Sequence, residues 1–151
     1  MRDKIAQAMK EALKSKDQAA LSTIRLISAA LKDRDIAART QDNHDGISDD
    51  EILSMLQTMI KQRNESAKLY TEGGRPELAE AEKAEIAIIK QFLPAQLSED
   101  EINKAITQAI KHTQSASVKD MGKVMAHLKA EYAGQMDFSA ASQMVKSALM
   151  G

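Results

Sequence analysis

The stretch Gln91-Phe92-Leu93-Pro94-Ala95-Gln96-Leu97-Ser98-Glu99-Asp100-Glu101 decides how this chain divides. Pro94 has no N–H and disfavours helical backbone at Leu93, so the preceding helix should stop near Phe92. Ser98 with Glu101 three residues on is a capping box and opens a new helix. Phe92, Leu93 and Leu97 are apolar residues in a short connector, which argues for a packed connector. The reading is a hinge between an amino-terminal unit, 1–93, and a smaller carboxy-terminal unit, 94–151.

Working outward, every periodic segment reads as helix, and no stretch alternates apolar and polar residues for long. Ahead of the hinge, the first helix runs from about Asp3 to Ser15, with Ile5, Ala8, Met9, Ala12 and Leu13 on one face. Asp17 caps a second, carrying Leu21, Ile24, Ile27 and Leu31 to about Arg39. Thr40 to Gly46 is a polar, turn-rich loop without core residues. Ser48 and Glu51 form another capping box, opening a third helix that Gly73-Gly74 ends. Pro76 at a first helical position opens a fourth. Past the hinge come three shorter helices, opened by Ser98, Ser117 (with Asp120) and Asp137. The expected fold is all-α: four helices, a Leu-Pro hinge, then a three-helix tail.

Composition narrows the functions. A net charge of −1 gives no global pull toward nucleic acid or membrane, so binding of either must come from a local patch. The absence of cysteine excludes disulfides, thiol nucleophiles and thiolate metal sites. No apolar run approaches the roughly 20 residues that span a bilayer, and Met1-Arg2-Asp3-Lys4 has no secretory apolar core. The expected location is the cytoplasm. With aromatics at 3% and no Trp, a base-stacking platform of the usual kind is not expected.

Some charges stand in apolar faces. At 100° per residue, Arg63 falls inside the apolar face of the third helix, and Glu82 and Glu85 inside that of the fourth. Charges so placed must pair. The expected arrangement is a structural ion-pair network between these helices, with Arg25 at its edge. Two carboxylates without a nearby histidine make a thin metal site, and the pattern holds no nucleophile. No catalytic residue, metal site or cofactor is therefore assigned. His44, His112 and His127 form no metal-binding spacing and read as surface residues.

The more suggestive pattern is Lys119, Lys123 and His127 at i, i+4 and i+8, with Lys129 nearby. The stripe lies opposite Met121, Val124, Met125, Leu128 and Tyr132. Gly122 sits among these charges near a helix start. There it costs about 1 kcal/mol relative to Ala, but allows close approach of a backbone or a phosphate. Clustered lysines beside a helix terminus are a phosphate-contacting pattern. The plainer reading is a solvated face with Gly122 at a tight helix crossing.

These residues lie within blocks that resemble the YqeY family. In order they are Thr23-Ile24-Arg25-Leu26-Ile27, Lys61-Gln62-Arg63-Asn64-Glu65-Ser66, Glu82-Lys83-Ala84-Glu85-Ile86, Phe92-Leu93-Pro94-Ala95-Gln96-Leu97 and Lys119-Asp120-Met121-Gly122-Lys123-Val124-Met125. The resemblance covers essentially the whole chain. Its members resemble the carboxy-terminal helical and tail region of the B subunit of tRNA-dependent amidotransferases. The resemblance implies an all-α protein with a tRNA-binding or amidotransferase-related role, under a family label of carbon–nitrogen ligase with glutamine as amido-N-donor. It is a resemblance to a non-catalytic part, since neither an amidase serine motif nor a phosphate-cradling loop is present. It carries over Lys119, Gly122 and Lys123 as RNA contacts.

The candidate partners are thus tRNA, or a tRNA-handling or amidotransferase protein, with no membrane. A second reading is a protein–protein adaptor docking through Met121, Met125, Met136, Met144 and Met150. A third is a small enzyme using Glu82 and Glu85 with Arg63.

Overall fold

The capping residues explain where the helices begin. In the computed structural model, which describes residues 1–150, α1 spans Arg2–Ser15, α2 Gln18–Arg39, α3 Asp49–Glu72 and α4 Pro76–Lys90. Asp17 caps α2 by accepting the Ala20 N–H at 3.0 Å. Ser48 accepts the Glu51 N–H at 3.2 Å, while the Glu51 carboxylate accepts the Ser48 N–H. Beyond the connector lie α5 (Glu99–His112), a 3₁₀ turn at Val118–Asp120, α6 (Met121–Glu131) and α7 (Phe138–Met150). The fold is all-helical, with no strand among the described residues.

The chain forms two compact units, Met1–Leu93 and Pro94 onward. In the first, Ile5, Leu21, Ile24, Ile27, Ile52, Met55, Leu56 and Ile89 build one buried core from all four helices. Each such side chain, fully removed from water, contributes about 1.5–3 kcal/mol. Helices α3 and α4 are joined by a tight turn in which Gly74 takes a φ of 74° and the Arg75 N–H reaches the Tyr70 carbonyl at 2.8 Å. That left-handed backbone suits glycine. Ala67, Ala79 and Ile86 are buried on these two helices. In the second unit, Ala105, Ile106, Ala109, Val124, Leu128, Met136, Ala141 and Val145 form a separate core.

The connector is packed at each end within its own unit. α4 stops at Lys90, two residues before Phe92, because its last turn tightens: the N–H groups of Phe92 and Leu93 bond back three residues, at 3.1 Å. Phe92 is buried in the first core. Past Pro94, the Gln96 amide donates to the Gly134 carbonyl at 2.7 Å, and the Leu97 N–H to that of Gln135 at 2.9 Å. Ser98 then caps α5, with Glu101 returning the bond.

The loop before α3 is more tightly held than its composition implies. Asn43 donates to the Gly46 carbonyl at 3.0 Å, and the next residue, Ile47, is 8% exposed. Arg2 and Asp35 reach this loop from α1 and α2.

Candidate nucleic-acid interface

The chemistry of the second unit follows from an uneven distribution of charge. α5 begins with Glu99, Asp100 and Glu101, which favour its positive end. From Lys104 onward the unit carries six lysines against three carboxylates. The surplus positive charge therefore lies beyond the first turn of α5.

The start of α6 differs from the expectation of one helix from Ser117. Residues Val118–Asp120 form a 3₁₀ turn, and the α-helix starts at Met121. The cause is Asp120, whose carboxylate turns back to accept the N–H groups of Ala116 at 2.9 Å and Ser117 at 3.4 Å. These bonds, led by that from Ala116, hold its carboxyl below the usual carboxylate range. With three residues per turn rather than 3.6, Lys119 departs from the expected i, i+4, i+8 stripe. Lys123 and His127 remain one turn apart on α6, and Lys129 is exposed in its last turn.

Lys119 and Lys123 are both exposed. Lys123 lies 3.7 Å from the half-buried Asp120, a long contact from an exposed lysine that holds it only weakly. Gly122 is exposed, and a Cβ built on it meets nothing within 4 Å. The tight helix crossing offered as its explanation is therefore not present among the described residues. Gly122 leaves open surface beside two lysines at the amino end of α6.

The histidines are arranged in a way their separation in the chain conceals. His112 ends α5 and His127 lies in the middle of α6, yet their rings stack with centroids 4.6 Å apart and planes at 28°. His112 is exposed, but His127 is half-buried, so the pair is not two separate surface residues. Helical periodicity relates residues within a helix and carries no signal for this contact between helices.

In the first unit, the expected network reduces to one pair. Arg63 Nε donates to the Glu85 carboxylate at 2.8 Å, and its Nη1 to the Met59 carbonyl at 3.2 Å. Glu82 is half-buried and forms no ion pair. Arg25 is exposed and does not join them. Helical phase placed Arg25 near the edge of an apolar face, and the edge is where a long side chain escapes to solvent.

The family model described as Yqey-like protein matches residues 2–149. The chain belongs to the YqeY family. Three fungal relatives carry the name "Altered inheritance of mitochondria protein 41, mitochondrial". That of Candida glabrata is 32% identical over 111 residues, covering 72% of this chain and 59% of its own length. That of Lachancea thermotolerans is 28% identical over 94% of this chain and 75% of its own length. That of Clavispora lusitaniae is 27% identical over 92% of this chain and 79% of its own.

These names correct the expected cytoplasmic location, since they point to mitochondria. That expectation rested on the lack of a secretory core. Mitochondrial leaders are amphipathic and Arg-rich instead, so the test did not address that compartment. No helix among the described residues is long and apolar enough to cross a membrane.

Proposed function

We propose that this YqeY-family protein binds RNA phosphates, with tRNA as the favoured partner, through the amino end of α6. The observation that carries the reading is the open surface at Gly122 between Lys119 and Lys123, where nothing in the unit occupies the space a Cβ would take. The exposed Lys119 and Lys123 supply the positive charge that phosphates require. The role is binding rather than amide transfer, and an amidotransferase-related complex is the setting the tail resemblance favours.

The test is binding of purified protein to total tRNA across a salt series. Affinity should fall with salt as phosphate contacts require. Lys119→Glu with Lys123→Glu should weaken it about tenfold or more while leaving the helical circular-dichroism signal intact. Unchanged affinity in that variant removes the site.

The methionine-docking reading is less favoured by the packing. Met136 is 2% exposed, and Met121, Met125 and Met144 are half-buried against the unit's own core. Only Met150, at 71% exposure, projects freely among the five.

A further inference from the structure

Helix α2 carries apolar residues on two sides. Leu21, Ile24, Ile27 and Leu31 enter the first core. Leu26 and Ile36 do not, and they are 44% and 49% exposed. A single exposed aliphatic side chain is ordinary on a protein surface, but these two share a stripe. Leu26, Ala29, Asp33 and Ile36 follow one another at steps of three and four residues, and all four are exposed. They form one line along the helix, about 15 Å from Leu26 to Ile36. Ala29 keeps the middle of that line low, which lets another helix come close.

A basic edge runs beside the line. Arg25, Lys32 and Arg39 recur every seven residues, about 10.5 Å apart along the axis, and all three are exposed. Arg25 and Lys32 form no ion pair with another described residue. Arg39 contributes only a coulombic pull on Asp35. On the other side of the line stand Ala30 and Ala37, without charge. In the heptad notation abcdefg, the line fills a and d, the cations fill g and the alanines fill e. This is the layout of a helix that takes a second helix along its length.

Charge selects the occupant. A second copy of α2 fits poorly in either direction. Parallel, Asp33 meets Asp33 in the seam, and antiparallel, the two cationic edges face each other. An RNA strand would use the cations, but it would leave Leu26 and Ile36 wet and bring phosphates against Asp33. A helix with aliphatic residues in its seam and carboxylates along its edge matches both the line and the cations.

We propose that the outer face of α2 docks an acidic-edged amphipathic helix of a partner protein. Leu26, Ala29 and Ile36 form the apolar seam, and Arg25, Lys32 and Arg39 recognise the partner's carboxylates. A face this short suits a transient contact rather than a permanent one. It belongs to the first unit and does not depend on RNA binding by the second.

The experiment titrates the full chain against a fluorescein-labelled helical peptide of four heptads. Its seam holds leucine and alanine, with one lysine to meet Asp33, and its edges hold glutamate. Fluorescence anisotropy should show saturable binding. Arg25→Glu with Lys32→Glu should weaken it about tenfold or more, and Leu26→Ser with Ile36→Ser to a similar degree. All four positions are exposed, so both variants should keep the helical circular-dichroism signal. A second peptide, with lysine in place of the edge glutamates, should prefer the charge-reversed variant to the unaltered chain. No binding of the acidic peptide, or equal affinity for the unaltered chain and either variant, overturns the proposal. Total tRNA that loses affinity for the Arg25/Lys32 variant and is displaced by the acidic peptide would make this edge a phosphate contact and overturn it as well. A dimer of the unaltered chain in sedimentation that Leu26→Ser with Ile36→Ser abolishes would give the face to a second copy, with the same consequence.

Discussion

Arg2 and Asp35, far apart in the chain, close on each other as a fork: Nη1 to Oδ2 at 2.7 Å and Nη2 to Oδ1 at 2.8 Å. The same groups hold Ile47, whose carbonyl accepts from Arg2 and whose N–H donates to Asp35, each at 3.0 Å. The start of α1, the later part of α2 and the entry to α3 are joined at one point. Paired first with Arg2 and then with the Ile47 N–H, the Asp35 carboxyl is lowered to about 2.

Asp35→Asn should therefore destabilise the first unit in a pH-dependent way. A carboxyl whose folded pKa is depressed adds stability above its unfolded value and loses it as pH falls through the folded one. The advantage of Asp35 should be full above about pH 5, shrink as pH falls toward 2 and vanish only below about 2. The Arg2 side chain is 40% exposed and that of Asp35 21%, so solvent screening reduces the effect to about 1–2 kcal/mol. Urea unfolding of both proteins from pH 7 down to pH 2.5 checks this. A constant difference across that range would remove the ion pair as its cause.

Gly46→Ala should be worse than an ordinary loop substitution. Gly46 has a φ of 88°, and an added Cβ would stand 2.6 Å from Arg2 Nη2 and 2.7 Å from Asp35 Oδ1. The methyl group must strain the backbone and push the fork apart, costing about 2–3 kcal/mol. In an Asp35→Asn background, where the fork is already weakened, the cost should drop toward the backbone strain alone, about 1 kcal/mol. Denaturation midpoints of the four proteins in the cycle measure that coupling. Additive losses would show that the fork and the glycine are independent.

The contrast between these sites and the helices shows what a sequence discloses. Ser48 with Glu51, Ser98 with Glu101, Asp17 and Pro76 act on neighbours within four residues, so their roles were legible in the linear order. The Arg63–Glu85 pair was legible too, because both residues interrupt apolar faces. Arg2 and Asp35 sit at polar positions and interrupt nothing. Their meeting depends on how α1, α2 and the loop pack, as the His112–His127 stack depends on α5 lying against α6. Lys119 was misplaced for a local reason: the carboxylate of Asp120 competes for backbone N–H groups and tightens the turn.

Glu85→Ala tests whether the α3–α4 charges are structural. The side chains of Arg63 and Glu85 are 15% and 34% exposed. Removing the carboxylate leaves a mostly buried guanidinium with only the Met59 carbonyl. The expected loss is about 1–3 kcal/mol, or roughly 3–10 °C in Tm. Replacing both partners, Arg63→Met with Glu85→Leu, should recover most of it, since no charge is then stranded. A Tm unmoved by Glu85→Ala would return these carboxylates to consideration as acid–base groups.

Gly122→Ala separates folding from binding at the α6 start. A Cβ there meets nothing within 4 Å, so the substitution carries no steric cost. Near the start of a helix, alanine should leave stability unchanged or raise it by up to about 1 kcal/mol. The same methyl group stands where a phosphate would approach between Lys119 and Lys123, so tRNA affinity should fall about three- to tenfold. Thermal unfolding and tRNA titration of this single variant should move in opposite directions, which neither a packing role nor a plain solvated surface produces. A gain in stability with unchanged affinity would remove Gly122 from the interface and leave the lysines to act alone.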